Sequence, residues 1–350
     1  MAWHQSAKLS GAYVLVMIVM VFVYVVSNFQ PDSDVQSDWS NGKMILLNVS
    51  ECRCSKKVRL DQQIDPLEID HDTSDQAVTC SQDVKALGRG QRVVSYSFYQ
   101  GPTFDTFQRD YFSGISHNVR TIKKYYPGYR MRLYYRLTDN EMAMERLCQL
   151  ACEEEILDLC DISRNPMVLN ASSYYPLVWR FLPALDAQVD LMLSRDLDSD
   201  ITAREQAAVS EFLQQENKTF HIMRDHKDHT IEILGGTWAV KLDHGLTRHL
   251  MVKGMKKMLQ DPTVLNIGKD RGLDQFLLVR YVWPLARKAR IIFAHDSFHC
   301  MSYPFSIGFP TQREQSEAGN FIGAVRTVNE PLKVICPRAC RRGHLDWIYC

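Results

Sequence analysis

The chain has 350 residues, enough for one large domain with extensions and for a core that folds unaided. Lysine plus arginine and aspartate plus glutamate each number 41, so the net charge is zero and no basic excess argues for nucleic acid as a partner. Composition is otherwise that of an ordinary globular protein.

The N-terminus departs from that average. Residues 1–8 hold His4 and Lys8, and Leu9 to Pro31 then runs for 23 residues without a charge. At about 1.5 Å per residue such a helix crosses a hydrocarbon core of roughly 30 Å. Tyr24 to Pro31 lacks the small-x-small pattern of a cleaved signal peptide. Asp32, Asp34 and Asp38 follow the apolar run, so the positive-inside tendency leaves residues 1–8 cytosolic and sends the remaining chain across the membrane. The expectation is a type II anchor over 9–31, in the Golgi membrane or the ER. Ten cysteines, all beyond the anchor, suit an oxidising lumen and allow up to five disulfides of undetermined pairing. Asn48, Asn170 and Asn217 each begin a glycan acceptor sequon. Residues 32–88, rich in Asp, Ser and Gln, read as a loosely packed luminal stem.

From residue 89 to 350 the pattern is that of one folded domain. Arg92–Tyr99 reads as a strand followed by a Gly101-Pro102 break, and Phe107–Tyr126 as a helix stopped by Pro127-Gly128. Tyr129–Arg136 is a second strand, Glu141–Glu155 a helix and Ile156–Asp161 a third strand. Tyr175–Ala187 is partly helical, Val189–Arg195 a buried strand, Thr202–Leu213 a helix and Phe220–Arg224 another strand. Gln275–Tyr281 reads as a helix, and Ile291 begins a strand that ends at His295, Asp296 and His299. Strands alternating with helices predict an α/β/α sandwich around a mainly parallel sheet, whose ligands collect beyond the carboxyl ends of the strands.

The strand Val189–Arg195 runs into Asp196, Asp198 and Asp200, three carboxylates at i, i+2 and i+4. That spacing turns them to one side of an extended chain, where they can hold a hard divalent cation and, through it, a diphosphate. A calcium loop counted from Asp196 fails, because Ile201 and Ala207 stand where glycine and glutamate are needed. The plain alternative is a polar turn in which Asp200 or Thr202 caps the next helix.

Ser194–Asp200, Ala203–Val209, His221–His226 and Leu234–Trp238 together resemble a poorly characterised family of GT-A-type glycosyltransferases, over about residues 92–325. The resemblance implies a GT-A-like nucleotide-sugar-binding sandwich preceded by one transmembrane helix. It also implies a metal-dependent transferase acting on a nucleotide-diphosphate sugar and a glycan, glycoprotein or glycolipid acceptor. Mn²⁺ or Mg²⁺ would be the cofactor, with Asp198 the metal ligand and Asp196 its partner. Asp200 stands where the family often has a basic residue.

The remaining candidates follow from chemistry and resemblance. Arg195 and Arg224 are candidates for the diphosphate, and Asp225 and His226 for a loop beside a sugar-phosphate. Gly235 and Gly236 would let backbone approach a ligand while Trp238 stacks on a sugar face; a tight turn with a core tryptophan is the alternative. Asp274 resembles the acidic residue of an acceptor pocket and would act as general base; capping its helix is the alternative. His295 or His299 would complete the metal site. Two other functions fit the same residues: an inactive luminal nucleotide-sugar or glycan binder, and a metal-dependent phosphotransferase or hydrolase.

Overall fold

The structure, a computed structural model, describes residues 43–60, 78–99, 104–137, 140–164, 173–265, 272–303, 305–313, 321–326 and 334–350, with only the backbone of 104–111. The expected anchor at 9–31, the tail 1–8, the Gly101-Pro102 break and the Asn170 sequon lie outside these residues. Among the described residues no helix is long and apolar enough to cross a membrane.

The central sheet has eight strands. Ordered by sequence they are β3 (Gln91–Tyr99), β4 (Arg130–Arg136), β5 (Leu157–Asp161), β6 (Val189–Arg195), β7 (Phe220–Arg224), β8 (Thr237–Lys241), β9 (Ile292–Asp296) and β10 (Ser306–Ile307). Across the sheet the order is β10-β9-β7-β8-β6-β3-β4-β5. Only β8 is antiparallel to its neighbours β6 and β7; every other pair is parallel. The predicted mainly parallel α/β sheet is therefore present.

Both faces of the sheet are covered, which is why strands such as β3 read as nearly continuous apolar runs. Alternation sends neighbouring residues to opposite cores. Val93, Met192, Ile222 and Trp238 join Trp179 and Phe181 from the 3₁₀ segment Pro176–Leu185, together with Met255, Leu278 and Trp283. Val94, Leu193, Met223 and Ala239 join Ile115, Val119, Leu147, Val209 and Phe212 on the other face. These cores belong to helices named here in chain order: α1 (Gln82–Lys85), α2 (Phe104–Tyr125), α3 (Glu141–Glu153), α4 (Ala203–Leu213), α5 (Gly245–Leu259), α6 (Leu273–Tyr281) and α7 (Trp283–Ala289). Pro176 opens the 3₁₀ segment 176–185, where its missing amide costs no helical bond, and Pro183 lies inside it.

Of the stem expected over 32–88, residues 43–60 and 78–88 are described, and they pack onto the domain. Lys43–Val49 (β1) and Cys54–Leu60 (β2) form a two-stranded sheet. Leu47, Val49, Lys56 and Val58 of this pair are buried. Cys52–Cys148, Cys54–Cys152 and Cys80–Cys160 fasten the segment to α3 and β5. Thr79, fully buried, donates its amide to Asp186 at 2.9 Å, and the same carboxylate takes Arg132 at 2.7 Å. Short strands interrupted by cysteines carry too little periodicity to announce such packing. Cys300–Cys340 and Cys336–Cys350 close the C-terminal residues, so all ten cysteines are paired.

Candidate active site

The acidic row lies beyond the carboxyl end of β6. Leu197, Ser199 and Ile201 are buried, whereas Asp196, Asp198 and Asp200 between them are half-buried. Burial alternates along these residues although the chain turns there, the Ser199 amide donating to the Asp196 carbonyl at 3.2 Å. The row is shaped by a strap, residues 321–326. Ser199 bridges Val325, and the Arg326 amide donates to the Asp198 carbonyl at 3.0 Å. The Arg326 guanidinium donates to the carbonyls of Leu197 (2.6 Å) and Ser199 (3.2 Å) and to Asp200 at 3.0 Å. Thr202, not Asp200, caps α4, accepting the Glu205 amide at 3.2 Å.

One side chain gathers the site. Arg180, buried in the 3₁₀ segment, donates from Nη1 to Asp196 and from Nη2 to Asp274 at 2.6 Å. Asp274 stands in the first turn of α6, behind Gly272 in the left-handed region at φ 92°. Gly235 and Gly236 press against this chain. A Cβ on Gly235 would sit 2.1 Å from Asp274 Oδ2 and 2.4 Å from Arg180 Nη2, and one on Gly236 1.8 Å from Asp196 Oδ2. The glycines serve a close approach, as expected, but to the site's own charged groups. Ser194 fixes the approach by donating to the Gly235 carbonyl at 2.7 Å.

The electrostatics follow from burial and unequal charge. Burial raises the Asp274 carboxyl above its ordinary range although Arg180 pulls the other way. Its Oδ1 is buried without a hydrogen-bond partner. Burial and then the neighbouring Asp196 charge raise Asp198 as well. Two partly desolvated carboxylates side by side are what a divalent cation stabilises.

Several sequence expectations are corrected. Arg195 is buried, paired with Glu205 at 2.7 Å and donating to the carbonyls of Ser194 and Trp238. Arg224 is buried on Asp296 at 2.6 Å, and Asp225 is buried on both Arg204 nitrogens, at 3.0 and 2.9 Å. Trp238 is a core residue stacked on Phe220 at 5.3 Å, so the core alternative holds. His226 remains half-buried and stacks on Phe321 at 4.4 Å.

The five expected metal ligands do not converge. Asp200 pairs with Arg326 and with His117 at 3.1 Å, and His299 Nε2 lies 2.9 Å from the Lys227 carbonyl. His295 is buried between His221 (2.8 Å) and Glu211 (3.0 Å). Among the described residues, only Asp296, Cys300 and Cys340 bring three such ligand atoms within 4.8 Å, and those two sulfurs form a disulfide. Asp196, ion-paired with Arg180, and Asp198 remain as half-buried neighbours beyond β6.

The buried His221 and His295 and the half-buried His229 set a pH dependence. Glu211, drawn down to about 2 by His295 and then Arg342, can only accept, so His295 Nε2–H donates to it. His295 Nδ1 then accepts from His221 Nε2–H. Burial lowers His221 and His295, and takes His229 from 6.5 to about 4. A depressed histidine stays neutral in the fold while the unfolded chain takes up protons below about 6.5, so stability falls as the pH drops from there toward 4. Glu51, held up to about 7 by burial, works in the opposite sense. In a Glu51→Gln background, urea unfolding should therefore show a loss between pH 7 and pH 5 of about 2 kcal/mol from His229 alone. A flat profile would mean that these rings titrate as exposed ones do.

The residue that sequence reasoning missed is Arg180. Its signal was a lone charge inside Val178-Trp-Arg-Phe-Leu-Pro183, a very apolar stretch.

No protein-family model and no curated protein matches the chain. Its structural neighbours include glycosyltransferases. Mouse xyloside xylosyltransferase 1, apo form, is 10% identical with a TM-score of 0.34, over 60% of this chain and 85% of that one. A glycosyltransferase involved in glycosylation of the major capsid of PBCV-1 is 15% identical with a TM-score of 0.30, over 61% and 87%. The 4-diphosphocytidyl-2C-methyl-D-erythritol synthase of Anaerococcus prevotii is 14% identical with a TM-score of 0.33, over 55% and 84%.

Proposed function

We propose that this chain is a type II membrane glycosyltransferase of the secretory pathway, moving a sugar from a nucleotide-diphosphate donor to a hydroxyl of a glycan, glycoprotein or glycolipid. One observation carries the reading. At the carboxyl edge of a mainly parallel sheet, Arg180, Asp196, Asp274 and the Gly235-Gly236 backbone close on one another, with Asp198 next in the same outward row. Ten paired cysteines support an oxidising compartment.

The donor set fits a hard cation. Asp196 and Asp198 supply adjacent oxygens of like charge, as Mn²⁺ or Mg²⁺ requires, with water and phosphate oxygens filling the other positions. A cation held there would offset the charge that develops on a departing nucleoside diphosphate. Arg180 supplies a second positive charge beside Asp196. Asp274, with Oδ2 fixed on Arg180 and a proton affinity raised by burial, would act as base for the acceptor hydroxyl once acceptor binding uncovers its buried Oδ1. The buried guanidinium lies 5.6 Å from the Phe181 ring, an apolar neighbour that limits water around it.

The test is a donor screen on the detergent-solubilised full chain, offering uridine, guanosine and cytidine diphosphate sugars with Mn²⁺, with Mg²⁺ and with chelator. Metal-dependent release of a nucleoside diphosphate, matched by sugar on an acceptor, is the expected result. Metal-dependent binding without turnover would leave an inactive binder, and release of inorganic phosphate instead would identify a hydrolase.

A further inference from the structure

Arg180 joins two carboxylates, whereas Arg195, Arg224 and Arg132 each reach one carboxylate through a single nitrogen. Arg204 and Arg130 each place two nitrogens on one carboxylate, Asp225 and Asp158 respectively. Arg180 divides its fork, giving one nitrogen to Asp196 and the other to Asp274. A divided fork holds each acid by a single bond, so one can be released while the other stays.

The two bonds also differ in surroundings. The Asp274 side chain is 1% exposed and that of Asp196 36% exposed. Water and ions can therefore compete for Asp196 but not for Asp274. Asp196, Asp198 and Asp274 against Arg180 leave a formal charge of minus two, matching one divalent cation. Gly236 lies against the second oxygen of Asp196, so the oxygen bonded to Arg180 is the one to be shared.

Building on the metal reading above, we propose that Arg180 is the resident counter-ion of Asp196. Asp196 exchanges this guanidinium for a divalent cation, and the freed Nη1 turns toward the donor diphosphate while Nη2 stays on Asp274. Arg180 thereby couples occupancy of the acidic row to the orientation of Asp274. Its role is one of positioning. Loading of the cation and seating of the diphosphate become a single event, because the displaced nitrogen needs an anionic partner in a poorly solvated place.

The measurement is Mn²⁺ binding alone, followed by the electron paramagnetic resonance signal of the free ion, on the full chain and on Arg180→Gln and Arg180→Lys. Removing the competitor should tighten Mn²⁺ binding by about tenfold in Arg180→Gln. Arg180→Lys, whose compact ammonium can hold only one of the two acids well, should fall between wild type and Arg180→Gln. Thermal melts identify the folded variants, and the lysine variant carries the test if the glutamine one fails to fold. Binding by a variant but not by wild type would also support exchange. Wild-type or weaker affinity in a folded variant, with wild type binding normally, would overturn the exchange and leave the metal reading standing. Absence of binding in wild type and variants alike would remove both.

Discussion

Asp198→Ala should reduce sugar transfer by about a thousandfold or more, while leaving the melting temperature within about 2 °C of wild type. The separation of the two readouts is the point of the experiment. Asp198 is half-buried in a row whose shape is set by other residues: Leu197 and Ile201 fill the core, and Arg326 and Asn118 hold the Leu197 carbonyl. Its carboxyl is raised by burial and by Asp196, so its charge is an electrostatic cost in the absence of a cation. Groups that cost stability in the free protein and face outward at a strand's carboxyl end are those retained for a ligand. Undiminished transfer by the variant at saturating Mn²⁺ would remove Asp198 from the site.

Asp225→Ala should behave in the opposite way, costing about 3–5 kcal/mol of folding stability. The residue follows β7 and is fully buried. It accepts from Arg204 twice, from Ser297 and from the Ile322 amide at 3.0 Å, with Arg313 3.8 Å away. Burial works to raise its carboxyl, but Arg204 and Arg313 outweigh it and hold the group below its ordinary range. Alanine leaves the buried Arg204 guanidinium without its carboxylate, and asparagine restores the shape but not the charge. Urea unfolding of Asp225→Asn should therefore show most of the same loss. A variant of normal stability that had lost only nucleotide affinity would restore the sugar-phosphate role expected from sequence.

What could be read from sequence was local. The acidic row was legible from its spacing directly after β6, with Leu197 and Ile201 marking the buried side, although the chain turns there instead of staying extended. Gly235-Gly236 announced a close approach, and Asp274 the start of a helix. The partners were not legible, because they arise from register. Arg224 faces Asp296 across parallel β7 and β9, and His221 lies within reach of His295 by the same pairing. Residues about 72 positions apart give no local sign of each other. Trp238 was ambiguous for a related reason: Thr237–Lys241 is a short antiparallel insertion between parallel neighbours, preceded by two glycines that read as a turn. Arg180 could have been flagged by its apolar context alone, since a guanidinium in such a segment needs an acidic partner.

The paired cysteines near the start of the domain have a biochemical consequence. Residues 43–60 are joined to α3 by two covalent links, and the chain next meets β5 through Cys80. A protease that cuts anywhere from 61 to 77 would therefore release nothing from the domain: the severed strand pair would travel with it on a non-reducing gel and separate only after thiol treatment.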